Sequence, residues 1–154
     1  MFNQLLPKRI DNTYSGYTPA LWIFGLLMFI WGAMSLNSII NGHTVASTAD
    51  GIPLDTFTPA GAQTVVSLFA LLGLSRLVMS LLGILALARY RAMVPLMFAL
   101  LLLEHLSRRL ILQLLPIPRA GTPPGSMVNL VLLALMVVGL ALSVRRQESL
   151  PAKE

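Results

Sequence analysis

Residues 101–116 read LLLEHLSRRLILQLLP, which sets Glu104, His105, Arg108 and Arg109 inside a run of leucines. On a helix, side chains three and four positions apart share a face. Glu104 with Arg108 and His105 with Arg109 therefore bring one carboxylate, one imidazole and two guanidinium groups to a single broad side. Arg76 interrupts a second apolar run, TVVSLFALLGLSRLVMSLLGILALA, in the same way. Three kinds of chemistry are open to such a set. Guanidinium groups grip phosphates, carboxylates or a quinone carbonyl through forked hydrogen bonds. A carboxylate and an imidazole can pass a proton. Opposite charges can also simply pair and fix how two helices meet.

The surroundings of these groups decide where that chemistry takes place. The chain has 154 residues, 56% hydrophobic and 11% charged, with mean hydropathy +0.77. This is too apolar for an ordinary water-soluble domain. A hydrocarbon core of about 30 Å needs about 20 helical residues to cross it. Four stretches meet that length, at approximately 20–40, 59–90, 92–115 and 127–144, so the expected fold is all-α, a four-transmembrane-helix antiparallel bundle forming a single domain over 1–154. Thr58-Pro59 has the form of an N-cap followed by proline at the first helical position. Pro95 falls in the opening turn of the third span, where a missing N–H costs little. Pro116, Pro118, Gly121, Pro123, Pro124 and Gly125 then predict an irregular loop.

Positive charge is retained on the cytoplasmic side of a membrane. Lys8 and Arg9 precede the first span, Arg89 and Arg91 separate the second and third, and Arg145, Arg146 and Lys153 follow the fourth. The loop over 41–63 has no Lys or Arg, and the loop after Pro116 has Arg119 alone, so both termini are expected in the cytoplasm. The first apolar run is 21 residues and carries Trp22 and Trp31. That length favours an uncleaved anchor over a signal peptide, whose apolar core is about 7 to 15 residues. The net charge of +5 resides at membrane boundaries and within helices. It reads as a topology signal with contacts to anionic lipid rather than as a nucleic-acid surface.

The turn around Tyr90 is too short for anything but an antiparallel hairpin. Arg76 and Glu104 each lie 14 positions from Tyr90, roughly 20 Å along the helices. The same reflection matches Ser75 with His105 and Ser67 with Gln113. Arg76 and Glu104 are thus expected to pair between the second and third spans, in a buried cluster with His105, Arg108 and Arg109, supported by Ser75, Gln113 and Ser67. An unpaired charge at the bilayer centre costs from about 2.5 to over 10 kcal/mol, which favours such a partnership. Gly73, Ser80 and Gly83 form a narrow face of small residues around Arg76 on which another helix can pack closely.

The cluster admits two readings: a device that fixes helix register, or a pocket open to the outer leaflet that takes an anionic group through Arg108, Arg76 and His105. Arg109 and Arg108 can also extend toward the outer interface, as long cationic side chains do. The outer loop NGHTVASTADGIPLDTFTPAGAQ has the composition of a structured cap or of a partner-binding segment. Its Asp50, Asp55 and His43 lack a metal-ligand spacing and sit among ordinary turn residues, so no metal is assigned. Asn37, Asn41 and Asn129 lie toward the same outer side. No catalytic motif is present, no cofactor is implied, and the absence of cysteine removes thiol chemistry.

The segments ADGIPLDTFTPAGAQTVVSLFALLGLSRL and RYRAMVPLMFALLLLEHLSRRLILQLLP, with NSIINGHTVAS, resemble a group of small uncharacterised bacterial integral membrane proteins, and in size and helix count the chain is loosely similar to DoxX-like four-helix proteins. The resemblance implies a bacterial inner membrane and no particular activity. Three functions follow as expectations. The leading one is a non-enzymatic accessory, assembly or lipid-binding module, with membrane lipids and a membrane-protein partner or a second copy as its partners. The others are an oligomeric transporter or channel for a small anionic solute, and an enzyme acting on a lipid-soluble substrate such as a quinone, with Glu104 and His105 in proton transfer.

Overall fold

The computed structural model describes residues 11–121 and 124–145, and the regular structure among them is all helical, with no strand. Four long helices account for most of the chain: α1 at Thr18–Ile40, α2 at Pro59–Arg89, α3 at Val94–Leu114 and α4 at Gly125–Val144. Thr58 caps α2, its side chain accepting a hydrogen bond from the Gly61 N–H at 3.2 Å, and Pro59 occupies the first turn. Pro95 sits in the first turn of α3, where it displaces no intrahelical bond. Three of the helices, α1, α2 and α4, are long and apolar enough to cross a membrane. The third expected span, α3, falls short in composition, because Glu104, Arg108 and Arg109 all lie within its 21 residues. Lys8, Arg9, Pro123, Arg146 and Lys153, which enter the sequence argument, lie outside the described residues.

The outward surface is as greasy as an interior. Trp22 is 78% exposed, Phe29 74%, Ile40 75% and Met127 72%, side chains that only a lipid solvent leaves outside without penalty.

Packing among the helices departs from the expected hairpin. α1 lies along α2 and also against α4, α4 packs on α3, and α2 meets α3 only sparingly. The reason is on the surface of α2. Its buried residues are Gly73, Ser80, Gly83 and Ala86, the small face legible in the sequence, and that face is covered by α1. A Cβ added at Gly73 would stand 3.0 Å from the Ser35 carbonyl oxygen, so the two backbones approach as only glycine allows. The Ser80 hydroxyl donates to the Met28 carbonyl at 2.7 Å, a hydrogen bond between helices. With its small face used on α1, α2 has no comparable surface left for α3. The main core is instead built by α1, α3 and α4 around Phe24, Leu27, Met28, Val94, Phe98, Leu101 and Met136, with Ala86 and the partly buried Leu87 added from α2. Phe24 and Phe98 meet edge to face with ring centroids 5.0 Å apart, and Gly139 of α4 makes room for the Phe98 ring.

The segment between α1 and α2 is an ordered cap. It runs through helical turns at Gly42–Thr44, Val45–Ala49 and Leu54–Thr56 and buries Ala46, Ile52 and Leu54 against Ala62, Val65, Val66 and Phe69. Gly51 adopts φ 70, a left-handed conformation suited to glycine, and its carbonyl accepts the Ala120 N–H at 2.8 Å. The two loops at this end are thereby fastened together. At the opposite end the Tyr17 N–H donates to the Leu142 carbonyl and the Ala92 N–H to the Asp11 carbonyl, so the segment ahead of α1 ties the end of α4 to the α2/α3 turn.

Candidate functional site

α3 ends at Leu114, and a loop links it to α4 at Gly125. Between them lies a cleft of about 570 Å³. Three arginines reach it, Arg108 and Arg109 from α3 and Arg119 from the loop, together with His105, Gln113, Ser126 and Asn129. Leu112, Ile117, Met127 and Leu130 supply apolar wall. The first turn of α4 borders the cleft, and the positive end of the helix dipole there favours negative charge.

Behind the cleft is a recess of about 20 Å³, room for one water-sized group. It is lined by Trp31 and Met34 of α1, Arg76 of α2, Glu104, His105 and Arg108 of α3, and Asn129 and Leu132 of α4. His105, Arg108 and Asn129 border both spaces, so the recess adjoins the cleft.

The expected cluster is thus gathered, with its internal wiring changed. Arg76 and Glu104 line one recess, yet the ion pair among the described residues is Glu104 with Arg108, one helical turn along α3, at 3.6 Å. The Arg108 side chain is 34% exposed and the Glu104 side chain 45%, so this pair is neither deep nor tight. The Arg76 Nε is buried and has no hydrogen-bond partner among the described residues. Depth matching put the two groups at one level; the separation of α2 from α3 keeps them from closing. The site also lies among four helices, not between the second and third spans. His105 is the buried member, at 9% exposure, while Arg109 is exposed on the cleft rim. Gln113 lines the cleft. Ser75 and Ser67 do not belong to the site: both are exposed, and the Ser75 hydroxyl donates to Leu71 of its own helix.

Asp50 stands at the margin of this cationic region. Its carboxylate lies beside Gly125, with Oδ1 3.4 Å from where a Cβ on that glycine would be. Burial pushes the Asp50 carboxyl above its ordinary range, while Arg119 and then Arg76 pull in the opposite direction. His43 and Asp55 do not join it in any metal-holding group among the described residues. Asn41 donates its side-chain N–H to the Asn37 side-chain amide Oδ1 at 2.8 Å and stays within α1 and its cap, whereas Asn129 reaches the site.

Arg119, Ser126, Trp31 and Met34 line these spaces without having been singled out in the sequence. The available signal was Arg119 itself, a lone arginine in a loop otherwise free of Lys and Arg. Comparison of the chain with protein-family models, curated proteins and solved structures finds no match.

Proposed function

We propose that this protein is a small non-enzymatic lipid-binding module of a bacterial inner membrane, a four-helix antiparallel bundle with both termini in the cytoplasm, whose cleft takes the anionic headgroup of a lipid from the outer leaflet. The observation that carries this reading is the meeting of Arg108, Arg109 and Arg119 with His105, Gln113, Asn129 and Ser126 around a cleft of about 570 Å³ that also has an apolar wall. Forked donors suit a phosphate, and leucine and methionine suit an acyl chain or glycerol backbone. Energetics support it too. A helix with two arginines and a glutamate is costly in hydrocarbon unless its charges find partners. A headgroup seated against α3 supplies them.

The recess adjoining the cleft is only about 20 Å³, which favours holding a ligand over conducting a solute through one chain. Native mass spectrometry of detergent-purified protein mixed with dioleoyl lipids tests the reading. Anionic phosphatidylglycerol is expected to stay bound well above zwitterionic phosphatidylcholine, and the Arg108→Gln/Arg119→Gln double variant to lose that difference. Equal retention of the two lipids by the parent protein would sink the proposal.

A further inference from the structure

The charge count around the cleft and its recess says more about the ligand. Arg76, Arg108, Arg109 and Arg119 place four guanidinium groups about these two adjoining spaces. Two carboxylates oppose them: Glu104, paired with Arg108, and Asp50, close enough for Arg119 and Arg76 to act on it. Leaving His105 aside, two positive charges remain without a counter-charge among these groups. The group that offsets an excess of two with least residue is a dianion.

The recess adds a geometric condition. It admits a single oxygen-sized group, it adjoins the cleft through His105, Arg108 and Asn129, and on its wall the Arg76 Nε is a buried donor lacking an acceptor. A ligand that fills the cleft and satisfies Arg76 has an acceptor oxygen projecting from its charged centre to the inner side. A phosphodiester offers two non-bridging oxygens and one negative charge. A phosphate monoester offers three strong acceptor oxygens and carries about −1.5 to −2 at neutral pH.

We infer that the ligand of this site is a lipid phosphate monoester, with one phosphate oxygen seated in the Arg76 recess and the remaining two held by Arg108 and Arg119 in the cleft. The inference rests on the anionic-headgroup reading above and narrows it.

The test compares dioleoyl phosphatidic acid with dioleoyl phosphatidylglycerol, and both with phosphatidylcholine and inorganic phosphate, by native mass spectrometry and thermal shift in one detergent. The parent protein is expected to retain phosphatidic acid at least tenfold over phosphatidylglycerol. Arg76→Gln should bring the two within about twofold by lowering phosphatidic acid alone, and Arg76→Lys, which keeps the charge, should preserve most of the preference. Glu104→Gln should move the other way and enlarge it, an arm that stands even if Arg76→Gln fails to fold. Equal retention of the two anionic lipids by the parent, or a preference untouched by both Arg76→Gln and Glu104→Gln, overturns the monoester assignment while the lipid-binding reading survives. Loss of any advantage over phosphatidylcholine overturns both. A thermal shift from inorganic phosphate equal to that from phosphatidic acid would show that free phosphate suffices and would overturn the lipid source.

Discussion

At Asp50 two opposing influences meet: burial disfavours its charge, and Arg119 and Arg76 favour it. Burial is the larger, so the folded protein holds this carboxyl above its unfolded value. A raised carboxyl contributes stability that is complete below the unfolded value, near 4, and is lost as pH rises through the folded one. Asp50→Asn, neutral at every pH, is therefore expected to melt higher than the parent at pH 7, with the gap closing as pH falls through the carboxylate range. A melting series in detergent checks this, and a variant that melts lower at pH 7 would show that the contacts of the charged form with Arg119 and the start of α4 outweigh its burial. Residue types told the sequence reader that Arg76, Glu104, His105 and Arg108 belong together, since each is expensive in lipid. They could not reveal the wiring. A difference of one helical turn separates Glu104 with Arg108 from Glu104 with Arg76, and that choice is made by how far α2 stands from α3.

Helices choose neighbours here by the size of their side chains. Gly73, Ser80 and Gly83 mark the packing face of α2 in the sequence, and they are its buried residues together with Ala86. Their spacing cannot say which helix arrives, because α1 and α3 are both joined directly to α2 in the chain and either could lie along it. Gly25 and Gly32 on α1 decide the matter, facing Leu87 and the Ser80 hydroxyl respectively, with an added Cβ only 3.2 Å from either. Gly73→Leu would drive a side chain into the Ser35 carbonyl and the Ser38 Cβ. Overpacking of this kind costs about 1–3 kcal/mol. Its melting temperature should fall by several degrees, whereas Leu71→Ala, on the exposed face of α2, should leave it nearly unchanged. Similar losses in the two variants would mean that the α1/α2 contact does not hold the fold.

For the molecule as a whole, the outer cap, the α3/α4 loop and the cleft lie at one end, while Arg89, Arg91 and Arg145 lie toward the other. The proposed orientation sets the capped end in the periplasm. The chain has no cysteine, so a single Thr56→Cys variant can be labelled without background. An impermeant maleimide is expected to modify it in intact spheroplasts, and labelling only after the membrane is broken would reverse the orientation. Length, hydropathy and charge placement made the helical class and most helix limits legible. The cleft was less so, because it depends on a contact between Gly51 and Ala120, nearly seventy positions apart, and nothing in either loop by itself announces the other.

The seating of α3 against α4 rather than α2 has a bearing on biogenesis. As the ribosome delivers the chain, α1 and α2 emerge first and can associate at once through their small faces. α3 then arrives carrying Glu104, Arg108 and Arg109, and the helix that flanks its charged side is still being synthesised. In the four-span arrangement proposed above, α3 is thus the segment that the insertion machinery must shelter until Gly125–Val144 has followed it out of the ribosome, and the two are best regarded as a pair released together. In a released chain truncated after Leu115, α3 should be cleavable by added protease while α1 and α2 stay protected, and in one extended through Val144 it should be protected too.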